Sequence, residues 1–118
     1  MAGPIQLYGE IAIKDGGLAT VKEMMQGAIS TTKEKDPGVL SYQFYFNDDE
    51  TVMYALETYR DGAAMLQHFA SLGDGLEEMF SVVTMQAMHV FGEVPPEVAE
   101  ALTPMGAKYF KSFGGFTR

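Results

Sequence analysis

The residues of this chain that could move a proton or hold a substrate oxygen are concentrated rather than scattered. Tyr42, Tyr45, Tyr54, Glu57, Tyr59 and His68 all fall between Asp36 and Ser71, in DPGVLSYQFYFNDDETVMYALETYRDGAAMLQHFAS. His68 suits a general base, because an ordinary imidazole titrates at about 6.5, close to neutrality. Glu57 stands in mid-strand among bulky neighbours. Burial disfavours an ionised carboxylate there unless it is paired or protonated. It can orient His68 and raise its pKa, or pair with a lysine or arginine at a sheet edge. Tyr42 and Tyr59 can offer hydroxyls to a substrate while their rings line an apolar pocket. As plain core aromatics they need only one partner for each hydroxyl.

Further candidates surround this group. His89, between Met88 and Val90, faces either a cavity or the far side of a sheet. Phe44, Met53 and Met65 are the expected apolar substrate contacts. The nine methionines make either a deformable pocket or ordinary core filler. There is no cysteine, which removes disulfides, thiolate metal sites and cysteine nucleophiles together. With two histidines, a multi-histidine metal site would have to borrow carboxylates or a second subunit. No metal and no cofactor is expected. Gly73-x-Gly75 lacks the preceding strand and following pattern of a phosphate-binding loop, and nothing places a serine or threonine in a catalytic triad.

Positioning these groups requires a folded core, and 118 residues with 47% hydrophobic content supply one. A single domain over 1–118 is expected, with a core over 5–92 and a C-terminal extension over 93–118. The net charge of −8 opposes binding to nucleic acid or anionic lipid. No apolar run approaches the roughly 20 residues that span a bilayer. The start MAGPIQLYGE has neither the basic nor the apolar region of a signal peptide. The expected setting is cytoplasmic.

Ile5 to Ile13 alternates with period two and reads as a strand. Asp15-Gly16-Gly17 breaks it, with Asp15 a candidate helix cap. Leu18, Val21, Met25, Ala28, Ile29 and Thr32 then follow helical spacing until Asp36-Pro37-Gly38 stops the helix. Leu40 to Phe46 and Thr51 to Tyr59 read as a hairpin around a four-residue polar loop. Pairing Phe46 with Thr51 sets Tyr42 against Ala55 and Leu40 against Glu57, so Glu57 and Tyr59 share the face of Tyr42. Asp61 caps a short helix with Met65, Phe69 and Leu72 as its stripe and His68 on the shoulder. Leu76 to Val82 adds a turn or two of helix, and Thr84 to Gly92 a fourth strand. Pro95-Pro96-Glu97 opens a last short helix. The tail KYFKSFGGFTR carries Tyr109, Phe110, Phe113 and Phe116. It is expected on a partner subunit or over a cavity mouth, or docked on its own domain.

The order strand, helix, strand, strand, helix, strand (βαββαβ) is that of an α+β, ferredoxin-like split βαβ antiparallel sheet with helices on one side. Both sheet faces carry large residues: Tyr45, Val52, Tyr54 and Leu56 on one, Tyr42, Phe44, Met53 and Tyr59 on the other. A half-exposed antiparallel sheet normally shows a polar face. Helices cover one side, so a second subunit is expected on the other.

The Asp36-Pro37-Gly38 turn with Leu40 and Tyr42, the acidic hairpin loop, Glu57-x-Tyr59-x-Asp61, Ala64 and His68-x-x-Ser71 together resemble the antibiotic biosynthesis monooxygenase family of the dimeric α+β barrel superfamily, over roughly Ile5 to Phe91. The resemblance implies two subunits with sheets face to face, and in each a small-molecule cavity between sheet and helices. It implies cofactor-free oxidation of phenols or quinols in some relatives, haem degradation in others and isomerisation in others. Tyr59 stands where the family usually has tryptophan, and Ala55 where some oxygenases have asparagine. Haem-degrading relatives carry tryptophan at the place of His68 and their ligand histidine at that of Glu78, so haem degradation is disfavoured. The expected function is a homodimeric, cofactor-independent monooxygenase acting on a small phenolic, quinol-like or enolic compound. His68 and Glu57 are its catalytic residues, and Tyr42, Tyr59, Phe44, Met53, Met65 and His89 its substrate contacts. The alternatives are an isomerase or tautomerase, or a dimer that binds a small molecule without turning it over.

Overall fold

A computed structural model describes residues 3–118; Met1 and Ala2 of the N-terminal stretch lie outside the described residues. The elements are β1 (Ile5–Ile13), α1 (Leu18–Lys35), β2 (Val39–Phe46), β3 (Val52–Tyr59), α2 (Gly62–Leu72), α3 (Asp74–Phe80), β4 (Val83–Phe91), α4 (Pro96–Leu102) and β5 (Ala107–Phe110). A short 3₁₀ turn at Thr103–Met105 joins the last two. The five strands form one sheet in the order β2-β3-β1-β4-β5. Every neighbouring pair is antiparallel except β4 and β5. This is the ferredoxin-like α+β arrangement, with one strand more than the pattern along the chain foretold. Among the described residues, no helix is long and apolar enough to cross a membrane.

The expected faces hold, but the hairpin register is displaced. Phe46 pairs with Met53, Phe44 with Ala55 and Tyr42 with Glu57, two residues along from the expected pairs. The cause is the loop. Asn47 Oδ1 accepts from the backbone N–H groups of Thr51 and Val52, and Glu50 adopts a left-handed φ of 57°, so the hairpin closes between Asn47 and Val52. A two-residue shift keeps each side chain on its own face, which is why Tyr42, Glu57 and Tyr59 still line up. Leu40 does not follow. A bulge between Val39 and Ser41 leaves it 57% exposed, since an extra residue interrupts the alternation.

Two apolar clusters hold the helices to the sheet. Ile5, Leu7, Tyr59, Met65, Met88 and Val90 pack with Val98 and Leu102 beneath α2 and α4. Val21, Met53 and Val83 make a smaller group under the start of α1. Each such side chain contributes roughly 1.5–3 kcal/mol. The helix α1 is anchored sparsely: of its 18 residues only Val21 and Thr32 are buried. It starts at Gly17 without a side-chain cap, so Asp15 does not serve as one. By contrast, Asp61 caps α2 by accepting from the Ala64 N–H at 2.9 Å.

Candidate active site

Because α1 stands off from the sheet, an open cavity of about 830 Å³ lies between them, bordered also by α2 and α3. Its floor is the inward face of β1 and β3, with Leu7, Ile11, Met53 and Ala55. Met24 and Met25 of α1 and Met79 and Phe80 of α3 form much of the wall. Such a volume suits an organic molecule of moderate size, bound mainly by apolar contact. The polar groups on its lining include Tyr42, Glu57, His68 and Ser71.

His68 is 1% exposed. Its Nδ1 lies 3.1 Å from Oδ2 of Asp36, and the same oxygen accepts from the Ser71 hydroxyl at 2.9 Å. A carboxylate can only accept, so Nδ1 carries a proton, and in the neutral ring the lone pair lies on Nε2. Three aromatic rings surround the imidazole: Tyr42 at 5.1 Å, Tyr59 at 5.6 Å and Phe69 at 5.7 Å between ring centroids. Local packing places Asp36. It follows α1 directly, its N–H returning to Thr32 O, and Gly38 lets the turn press on α2. A Cβ at Gly38 would come within 2.5 Å of Ala64 Cβ.

Glu57 does not orient His68. Its Oε1 accepts the Tyr59 hydroxyl, and the orienting carboxylate belongs to Asp36. The reason lies in the strand: residues 57 and 59 are neighbours on one face, whereas α2 turns the imidazole toward the turn after α1. The Glu57 carboxyl is pushed up to about 7 by burial, the Tyr59 hydrogen bond acting in the opposite direction. Burial, followed by the nearby Glu57 charge, raises the Tyr42 and Tyr59 hydroxyls, so both remain phenols at neutral pH.

Tyr42, Phe44 and Met53 line the cavity together with Glu57 and His68. Tyr59 and Met65 are wholly buried in the core beside it. His89 lies on the opposite side of the sheet, its ring 5.7 Å from Tyr8 and 5.2 Å from Phe110. Asp36 is the partner that sequence reasoning passed over, although the Asp36-Pro37-Gly38 turn and the His68-x-x-Ser71 pattern both contained a piece of it. Among the described residues, no group of three or more acidic or histidine side chains is placed to hold a metal ion.

The pattern that defines the antibiotic biosynthesis monooxygenase family matches residues 4–81. The chain belongs to this family. The crystal structure of MupZ from Pseudomonas fluorescens superposes with a TM-score of 0.84 at 25% identity, covering 100% of this chain and 91% of that one. Rv0793 from Mycobacterium tuberculosis superposes at 0.65 with 18% identity, over 79% and 95% of the two chains. Protein SO0527 from Shewanella oneidensis does so at 0.62 with 18% identity, over 76% and 88%. No curated protein sequence matches the chain. The family match ends at residue 81, before β4 and the C-terminal elements, yet the likeness to MupZ runs through them to the last residue.

Proposed function

We propose that this member of the antibiotic biosynthesis monooxygenase family is an enzyme in which His68 deprotonates a phenolic, quinol-like or enolic substrate held in the apolar cavity. The observation that carries the reading is the buried Asp36–His68 pair, whose imidazole lines that cavity. Removal of the proton gives an electron-rich anion. That anion passes one electron to molecular oxygen, and the substrate radical and superoxide combine into a peroxide anion, which takes the proton back from the His68 imidazolium to become a hydroperoxide. Loss of water, with the hydrogen of the same carbon removed and the O–O bond broken, leaves a new carbonyl. The protein supplies the base, the mainly apolar surroundings and the orientation, and the reading assigns no cofactor. Oxygen uptake with a panel of phenols and quinols, lost in His68→Ala, tests it. Proton-transfer isomerisation is the second reading, favoured by Glu57, which keeps a proton up to about pH 7.

We also infer that a second copy of the chain covers the open side of the sheet. Tyr45, Leu56, Phe91 and Phe110 stand there 52%, 45%, 39% and 40% exposed. The face is broad, spans the sheet and contains few charges, which is unusual for an uncovered surface. The β5 strand widens it by stacking Phe110 on Phe91.

A further inference from the structure

We propose that Glu57 is a second catalytic group, the donor that protonates a substrate oxygen in the same cavity in which His68 removes a proton. The inference rests on the reading of His68 as the base. It starts from position. Glu57 lies on β3 between Leu7 of β1 and Tyr42 of β2 in the hydrogen-bonded register, on the face that lines the cavity. The ring of Tyr42, its cross-strand neighbour, packs edge-on against His68. The ring of Tyr59, which donates to Glu57, packs against His68 from another side. Acid and base thus flank one pair of tyrosines.

The surroundings favour a neutral acid. The ion pairs among the described residues are Lys22–Glu50, Arg60–Asp61 and Asp36–His68, and none of them reaches Glu57. The titratable groups beside it are Tyr59 on its own strand, whose hydroxyl it accepts, and Tyr42, paired with it on β2. An ionised carboxylate in this apolar setting, with no cation beside it, is costly, and burial raises the Glu57 pKa accordingly. The Tyr59 hydroxyl occupies Oε1, so the other carboxyl oxygen is the one to carry the proton toward the cavity.

The pair makes a redox-neutral 1,3-proton shift possible. His68 Nε2 takes the proton from the carbon next to a carbonyl. The C–H electron pair becomes a C=C bond, and the carbonyl oxygen takes the proton of Glu57 to give an enol. When the enol hydroxyl returns its proton to Glu57, the imidazolium delivers the other to the far carbon of a conjugated system, or back to the first. Nothing is oxidised, and both groups end as they began. The substrate class is a mainly apolar ketone or enone.

The probe is β-tetralone, a neutral bicyclic ketone whose α-protons exchange with D₂O. The wild-type protein is expected to accelerate this exchange, with an alkaline limb near pH 7 as Glu57 ionises. In Glu57→Gln the rate falls by about 10²–10⁴-fold and the limb disappears, because an amide donates a hydrogen bond but transfers no proton. An infrared difference spectrum against Glu57→Gln, taken without ligand, shows the carbonyl stretch of a neutral carboxylic acid at pH 6 and not at pH 9. Absence of that band overturns the proposal, as does exchange that Glu57→Gln leaves unchanged. If exchange is lost in His68→Ala but survives in Glu57→Gln, the donor role falls and the base stands. If wild-type protein fails to bind or exchange β-tetralone, both fall.

Discussion

Oδ2 of Asp36 lies 3.1 Å from Nδ1 of His68, although 32 residues separate them in the chain. The relationship sets which imidazole nitrogen is free to act. Asp36→Asn presents an amide that can donate, which allows the ring to flip or to adopt the other tautomer. The expected result is a turnover lower by about 10²-fold or more, within the range of acid–base catalysis, with KM little changed. Nitrogen NMR of the imidazole checks the cause independently of any substrate: Nδ1 carries the proton in the wild-type protein and loses that preference in the variant.

Replacing the ring itself has two effects that can be measured separately. His68→Ala is expected to lower turnover by about 10²–10⁴-fold. It also leaves Asp36 buried with only Ser71 as a side-chain partner, at a cost of about 1–3 kcal/mol in stability. Denaturant unfolding gives the second number and steady-state kinetics the first. Wild-type turnover in a folded His68→Ala protein removes His68 from the mechanism.

The geometry also depends on a glycine two residues beyond Asp36. In Gly38→Ala the new methyl meets Ala64 at 2.5 Å, so the turn and α2 must part. Overpacking of this kind costs about 1–3 kcal/mol. Because Asp36 and His68 sit on the two parts that separate, the variant should also lose part of the nitrogen NMR signature described for the pair. A variant as stable as wild type, with that signature intact, would show that close packing here does not hold the dyad.

These relationships divide what could be read along the chain from what could not. The strands β1 and β3, the cap at Asp61 and the common face of Tyr42, Glu57 and Tyr59 follow from alternation and turn chemistry, which are local. The pairing register depended on how Asn47 and Glu50 close the hairpin, a conformational detail that composition does not specify. The bulge that turns Leu40 outward has no signature in the sequence. Lys108, Tyr109 and Phe110, which read as the start of a basic, aromatic tail, form a strand with Ala107 because β4 offers a free edge. The rest of that tail remains uncovered at Phe113 and Phe116. Asp36 read as a helix stop because its second role needs a partner on another element. Glu57 was recognised as awkward, but its tie to Tyr59 rather than to His68 required the orientation of α2.

A second copy on the open sheet face can be tested by weakening that face alone. Leu56 projects from it and is 45% exposed, so Leu56→Arg should fold normally yet place a charge where two copies meet. Sedimentation velocity is expected to show a dimer for the wild-type protein and a monomer for the variant. A wild-type protein that sediments as a monomer at micromolar concentration overturns the assignment of this face.

Stability should also report the state of Glu57. Its carboxyl rises from 4.5 in the unfolded chain to about 7 in the folded one, so between these values the folded state holds a proton that the unfolded state has released. Stability from this group is therefore greatest below about pH 4.5. It declines as pH rises and reaches its full loss, about 3 kcal/mol, above pH 7. Glu57→Gln has no proton to lose. The variant should gain on the wild type steadily from pH 5 to pH 8 in urea unfolding, whatever constant offset the substitution adds. Parallel curves for the two proteins across that range would mean that Glu57 is ionised throughout, with its charge balanced in the fold.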